Sequence, residues 1–154
     1  MDDVKSGNEE GGIPTTVVFR LGTLGTVAAD RFAAVIEPLG LKPKHVGLMA
    51  ALAHGASAGS QQDLAARLGV VPSLVVSLAD HLEQLGAVQR VRDPADRRRQ
   101  VLTLTDQGRD LLARCTATAR DLDDRFTAAL TPAQRSALQE ALAILASEAG
   151  LPGH

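Results

Sequence analysis

The chain has 154 residues, of which 45% are hydrophobic and 2% are aromatic. This length favours one domain with a sizeable core, and the scarcity of aromatic side chains argues against a base-stacking surface for single-stranded nucleic acid. One cysteine excludes an intrachain disulfide framework, no run of residues is long and apolar enough to span a bilayer, and no membrane is expected among the partners.

The net charge of −2 is unevenly distributed along the chain. Residues 42–105 contain eight basic and five acidic side chains, a net charge of +3, and the remainder carries −5. Because the local field decides which partner a surface attracts, the positive region is compatible with binding DNA. This asymmetry of charge is moderate and would not by itself indicate DNA binding.

The first third of the chain is predicted to contain two helices after an irregular start. Residues 1–12 are rich in glycine and acidic groups, which is typical of a disordered tail. A long amphipathic helix is predicted at 14–38, and a second helix at 43–53 begins with a proline. A glycine- and alanine-rich loop at 55–59 follows them.

The next stretch is predicted to form two helices joined by a tight turn. Ser60 occupies an N-cap position, and Asp63 can close a capping box. Gly69 supplies a left-handed stop, and Pro72 suits the first position of the second helix. Four apolar residues of that helix are expected to face inward: Val75, Leu78, Leu82 and Leu85. This pattern matches a helix-turn-helix unit, whose second helix enters the DNA major groove.

A short hairpin with an arginine-rich tip is predicted after these helices. Its strands are expected at 87–92 and 100–105, on either side of the turn sequence Asp-Pro-Ala-Asp at 93–96. Five arginines surround the turn: Arg90, Arg92, Arg97, Arg98 and Arg99.

Two further helices complete the predicted elements. Thr105 and Asp106 cap a long helix to about residue 130, and a Thr-Pro-Ala-Gln capping box at 131–134 begins the last one. Both carry apolar stripes that exceed what a small winged helix would cover. Cys115 lies on the stripe of the long helix and is interpreted as a packing residue.

The order and spacing of these elements resemble the MarR family of bacterial transcription regulators over about residues 14–149. The segment DPADRRRQVLTLT is similar to that family's wing signature, with Asp96 and Arg98 at its two charged positions. The resemblance implies a mainly α fold with a small β-hairpin wing. It places a winged helix-turn-helix at 41–105 between dimerisation helices at 13–40 and 106–150, within a single domain at 13–150.

The function implied by the resemblance is sequence-specific regulation of transcription. Its expected partners are a palindromic double-stranded DNA operator and a second copy of the chain, in the cytoplasm at the nucleoid. Repression is the commoner mode in the family, and activation stays an alternative. The candidate DNA-binding residues are Ser60, Gln61, Ser73, Leu74, Val76, Ser77, His81, Arg90, Arg97, Arg98 and Arg99.

Within this set, the family pattern distinguishes the wing from the second helix of the helix-turn-helix. It assigns Arg98 to the minor groove and Asp96 to stabilising the wing. MarR-like sequences often carry arginines where Ser77 and His81 stand here. The wing is therefore expected to carry more of the binding in this chain than in those relatives.

A small-molecule effector is also implied, a phenolic or other anionic aromatic compound between the first two helices and the winged helix. Arg20, His45 and Met49 are its candidate ligand-binding residues, offering a charge, a hydrogen-bonding ring and an apolar wall. An equally weighted alternative makes Arg20 a surface residue and Met49 simple core.

No catalytic residues, metal ligands or cofactors are predicted. The sequence lacks a nucleophile–base constellation, a phosphate loop and a dinucleotide fingerprint, and none of its four histidines has zinc-ligand spacing to another His or Cys. Two alternative functions stay open at this point. One is a helical interaction protein that uses the winged helix for protein contacts, and the other is a metal- or redox-responsive regulator.

Overall fold

A computed structural model describes residues 11–54 and 60–151. Its elements are α1 (Val17–Ile36), α2 (Pro43–Ala53), α3 (Gln61–Leu68), α4 (Pro72–Gln84), β1 (Val88–Arg92), β2 (Gln100–Leu104), α5 (Asp106–Phe126) and α6 (Pro132–Glu148). Short 3-10 turns at Ile13–Thr15 and Glu37–Leu39 flank α1. Most of the predicted tail and the whole predicted loop at 55–59 lie outside the described residues.

Local hydrogen bonds explain where the helices begin. The side chains of Thr16, Ser60, Thr105 and Thr131 accept backbone N–H groups at the starts of α1, α3, α5 and α6. Helices α2, α4 and α6 begin with proline, which loses nothing there because the first N–H groups of a helix have no intrahelical acceptor. The capping box at the start of α6 is reciprocal, as predicted.

The capping box predicted at Ser60 shows one of its two bonds. Asp63 N–H donates to Ser60 Oγ at 3.2 Å, whereas the Asp63 carboxylate lies 3.9 Å from the guanidinium of Arg99 in the wing. The turn after α3 has the expected left-handed residue, Gly69, at φ 65°. Helices α3 and α4 then meet at a bend of 106°.

The hydrophobic core is formed mainly by α2, α3, α4 and the two strands, with contributions from α1 and α5. Its largest fully buried side chains are Ile36, Leu48, Met49, Leu64, Val75, Leu82, Val88, Leu102 and Cys115. The inward position predicted for Leu85 is wrong, because the regular helix ends at Gln84 and Leu85, 41% exposed, precedes the left-handed turn at Gly86.

The wing is a two-stranded antiparallel hairpin whose base is attached to α5. Its register runs from Val88 opposite Leu104 to Arg92 opposite Gln100. The Thr105 hydroxyl donates to Gly86 O, and Thr105 N–H donates to Ala87 O at 3.0 Å. The mainly α fold with a β-hairpin wing is therefore confirmed.

The terminal helices expose apolar side chains that the chain itself does not cover. None of the 17 residues of α6, all of which the structure describes, is buried. Its exposed apolar side chains include Leu138, Leu142, Ile144 and Leu145, at 40–57% exposure, and α1 exposes Val17, Val18, Phe19, Leu21, Leu24 and Val27. Exposed apolar surface of this extent is typical of an interaction surface.

No single helix among the described residues is both long enough and apolar enough to cross a membrane. Helices α3 and α4 together would be long and apolar enough, but the chain bends sharply between them. Their apolar side chains Leu64, Val75 and Leu82 are buried in the core.

Candidate nucleic-acid interface

Helix α4 presents two different faces outside the core. Ser73, Val76, Ser77 and Asp80 are exposed and share one stripe, because they recur at three- and four-residue intervals. Val71, the N-cap residue of α4, is 62% exposed at the end of the helix that a helix-turn-helix directs to bases. Val71 was not among the contact residues predicted from the sequence, although a large apolar residue stands directly before a helix-starting proline there.

The other face of α4 lines a cleft of about 720 Å³. Leu74 and His81 face the chain between α1 and α2 across this cleft, and Ser77 belongs both to the cleft lining and to the exposed stripe. The opposite wall includes Glu37, Gly40, Lys42, Lys44 and His45. Leu74 and His81 are partly buried. The structure therefore places these two DNA-contact candidates beside the cleft rather than on the exposed stripe.

Two histidines that line this cleft are stacked on each other. The imidazole rings of His45 and His81 stack with centroids 4.4 Å apart, and His81 Nε2–H donates to Gly40 O at 2.7 Å. His45 Nδ1 accepts the N–H of Lys42 at 2.9 Å. Burial, followed by the charges of His81 and Lys42, lowers the pKa of His45 below its usual value.

The three effector candidates do not converge on one cavity. His45 lines the cleft, whereas Met49, one helical turn further along α2, is fully buried in the core. Arg20 is exposed in the first turn of α1, about 24 Å along the helix from Ile36 at its other end. A binding site that uses all three side chains would need a rearrangement of the chain.

The tip of the wing is an Asp-braced turn that carries three exposed arginines. Arg97, Arg98 and Arg99 precede the first residue of β2, so the alternation of side chains along a strand does not apply to them. Asp96 Oδ1 accepts the N–H of Arg98 at 3.0 Å, and Asp96 O accepts the N–H of Arg99 at 2.9 Å. Asp93 Oδ1 similarly accepts the N–H of Ala95.

Arg90, at the base of the wing, is bound to α4. Its Nη2 donates to Asp80 Oδ1 at 2.6 Å, and its Nη1 donates to Glu83 Oε2. The Arg90 side chain is 22% exposed, the least exposed member of the described ion pairs. The remaining candidates lie at the start of α3, where Ser60 is the N-cap and Gln61 is partly buried.

The described residues contain no group of three or more His, Cys, Asp and Glu side chains arranged to hold a metal ion. Cys115 is buried, and burial raises the pKa of its thiol against the smaller opposing effect of Arg114. A raised pKa disfavours the thiolate, which is the form that reacts with oxidants.

The chain is similar to known proteins, and a sequence model of the MarR family matches residues 39–99. A putative transcriptional regulatory protein for the hcr operon of Thauera aromatica is 34% identical over 116 residues, 74% of this chain and 69% of that protein. The HTH-type transcriptional repressor Rv2887 of Mycobacterium tuberculosis is 33% identical over 132 residues, 84% of this chain and 93% of that protein.

Two solved structures extend the comparison. Rv2887 in complex with DNA superposes with a TM-score of 0.73 at 28% identity, covering 84% of this chain and 97% of that one. CouR from Rhodococcus jostii RHA1, bound to p-coumaroyl-CoA, has a TM-score of 0.74 at 25% identity, covering 93% and 97%. With a curated relative matched over nearly its whole length and the winged helix reproduced in three dimensions, the chain belongs to the MarR family of transcriptional regulators.

Proposed function

We propose that this chain is a homodimeric repressor that binds a palindromic operator and is released by a small anionic aromatic effector. The observation that carries the proposal is the wing tip, where Arg97, Arg98 and Arg99 stand exposed on a turn braced by Asp96. Arginine is suited to a narrow minor groove because its guanidinium is weakly hydrated and attracted by the strong negative potential there. Rv2887, a relative with this fold, has been solved with DNA.

The exposed stripe of α4 supplies the major-groove contacts in this proposal. Ser73 and Ser77 offer hydroxyls to base edges or phosphates, and Val71 and Val76 offer apolar contacts to thymine methyl groups. No arginine lies on α4, so direct base readout from it is weaker than a bidentate arginine contact would provide.

The apolar surfaces of α1 and α6 are the proposed dimer interface, within the segments 13–40 and 106–150. A two-fold dimer covers both surfaces, because each subunit presents the same patch to the other. Such a dimer separates its two recognition helices by about one DNA turn, ~34 Å, and therefore selects a near-palindromic site. We place its action in the cytoplasm at the nucleoid.

The cleft beside α4 is the proposed effector site. It contains the positive charges of Lys42 and Lys44 and the imidazoles of His45 and His81, beside the apolar side chains of Leu74 and Leu78. The size and mixed lining suit a small aromatic acid or the aromatic end of a thioester. CouR, solved with p-coumaroyl-CoA, motivates this class of ligand.

A DNA-binding titration tests the main proposal. Fluorescent duplexes from the regions flanking the chain's own gene are titrated with the protein, with shuffled duplexes of equal length as controls. We expect specific binding tighter than binding to the shuffled duplexes by about a thousandfold or more. Equal affinity for both, by a protein shown to be folded, would favour the alternative in which the winged helix serves protein contacts.

The effector proposal has its own test. Phenolic acids and aromatic acyl-CoA thioesters are screened for an increase in melting temperature and for release of the bound duplex. An active compound should lose both effects in His81→Ala and keep both in His54→Ala, because exposed His54 at the end of α2 lies outside the cleft. Identical responses of the two variants would place the ligand elsewhere.

A further inference from the structure

Arg90 lies on the inward face of the wing, although its charge would suit a DNA contact. Residues directly opposite each other in an antiparallel pair share a face, and Arg90 is opposite Leu102, which is 1% exposed. Val88, two residues earlier on the same strand and therefore on the same face, is also buried. The guanidinium accordingly reaches from the base of β1 towards α4 rather than into solvent.

The two carboxylates that bind Arg90 belong to the exposed side of α4. Asp80 follows Val76 by four residues, and Glu83 follows Asp80 by three, so both continue the stripe that carries the proposed base contacts. Two carboxylates at this position would repel DNA phosphates, and one guanidinium offsets one of their two charges. The Arg90 guanidinium engages both with separate nitrogen atoms, which is a directional arrangement that a single point charge does not provide.

We propose that Arg90 is a positioning residue that sets the angle between the wing and α4 through Asp80 and Glu83, and that it makes no DNA contact itself. This proposal rests on the DNA-binding function proposed above. Arg90 is about 10 Å along the strand from the turn, so a rotation of ~10° at this joint displaces the wing tip by about 2 Å. A displacement of that size breaks hydrogen bonds between the tip and DNA, which weaken steeply with distance and angle.

The decisive variant is Asp80→Asn/Glu83→Gln. It removes two negative charges from a surface that faces a polyanion, so electrostatics alone predicts tighter DNA binding. A positioning role for Arg90 predicts weaker DNA binding, because neutral amides bind Arg90 less strongly than carboxylates do. We expect affinity for the operator to fall by about three- to tenfold.

Salt dependence separates positioning from direct contact. In Arg90→Ala we expect weaker binding with an unchanged slope of log affinity against log salt. Removal of a direct bond to a phosphate would reduce that slope by about 0.9. Arg92→Ala, which removes an exposed arginine from the same strand, controls for the loss of one surface charge. Tighter binding by Asp80→Asn/Glu83→Gln, or a reduced slope in Arg90→Ala beyond that of the control, would overturn the proposal.

A measurement without DNA keeps this inference separate from the proposed function. Spin labels at Ala95 in the wing turn and Ala66 on α3, both exposed, report the wing position in the free protein. Labelled chains are diluted with unlabelled protein so that distances within one subunit dominate. We expect a narrow distance distribution in the wild-type protein and a broader one in Asp80→Asn/Glu83→Gln. An unchanged distribution would overturn the positioning role even if the protein bound no DNA.

Discussion

The imidazole rings of His45 and His81 stack at an interplanar angle of 21°, joining α2 to the proposed recognition helix. His45 Nδ1 accepts the N–H of Lys42, so this nitrogen carries no proton, and His81 Nε2–H donates to Gly40 O. The charged groups around them in the cleft are Glu37, Lys42 and Lys44. Protonation of His45 would place a proton on the nitrogen that now accepts the helix cap bond.

This arrangement predicts a loss of stability in mild acid. Because the folded pKa of His45 lies below its unfolded value of about 6.5, the unfolded state takes up the proton first. The contribution of His45 to the free energy of unfolding is fully present above the unfolded pKa. It declines as the pH falls below that value and stops changing once the pH is below the folded pKa. Melting temperatures recorded from pH 7.5 to 5.5 should therefore fall.

The variant His45→Gln tests the source of that decline. Glutamine at this position can still accept the N–H of Lys42, as in a capping box, but it does not titrate in this range. We expect a flatter pH profile for His45→Gln than for the wild-type protein. His54→Gln, at an exposed position at the end of α2, is the control for the loss of one imidazole. Parallel profiles for wild type and His45→Gln would assign the decline to another group.

The wing tip yields a prediction for Arg98. Arg98→Ala is expected to cost on the order of 1–3 kcal/mol of DNA-binding free energy per site, the range for a specific arginine contact. If Arg98 also binds a phosphate, its removal should reduce the salt slope by about 0.9. Anisotropy titrations at several salt concentrations measure both quantities, with Arg97→Ala and Arg99→Ala for comparison. A dimeric Arg98→Ala that binds like wild type would contradict the assignment of Arg98.

Asp96 is expected to support DNA binding although it is negatively charged. Its Oδ1 accepts the N–H of Arg98, so Asp96→Ala should loosen the tip and weaken binding while the dimer stays folded. Asp96→Asn keeps an acceptor oxygen at the same place and removes the charge, as side chains of both types form this turn. We therefore expect Asn to retain wild-type affinity or exceed it, and equal losses in both variants would identify the charge as the important property.

Dimerisation is testable at α6 without damage to the core, because none of the described residues of this helix is buried within the chain. Light scattering at micromolar concentration should give twice the chain mass of 16.1 kDa for wild type. Leu138→Glu/Leu142→Glu should give the monomer mass, since charges are costly at an apolar interface. The matched change Gln139→Glu, on a polar residue between the two leucines, should leave the dimer intact. A monomeric wild-type mass would exclude this assembly.

The close approach of the wing base to α5 predicts the effect of one added methyl group. A Cβ on Gly108 would lie 2.0 Å from Ala87 O, so Gly108→Ala must push α5 away from the hairpin. We expect a loss of about 1–3 kcal/mol in the free energy of unfolding, measured by urea denaturation. Gly47→Ala is the control, because its Cβ would meet only Leu68 Cδ2 at 3.8 Å, and helix propensity should make it neutral or stabilising. Equal stability of the two variants would refute the close approach.

The sequence determined those features that depend on neighbouring residues. Caps at Thr105 and Thr131, the helix start at Pro72 and the left-handed turn at Gly69 lie where the sequence predicted them. Each depends on hydrogen bonds or backbone angles within about four residues, so the local sequence contains the information needed. The wing signature and the order of the elements likewise indicated the MarR family correctly.

The tertiary structure decided which side chains meet across elements. Sequence reasoning placed Arg90 and His81 among the DNA contacts, whereas the structure binds Arg90 to Asp80 and Glu83 and stacks His81 on His45. The hairpin register decides which face of β1 carries Arg90, and core packing decides which flank of α4 approaches the start of α2. Such contacts depend on the relative orientation of whole elements, which the burial of many distant apolar residues sets jointly and no local pattern specifies.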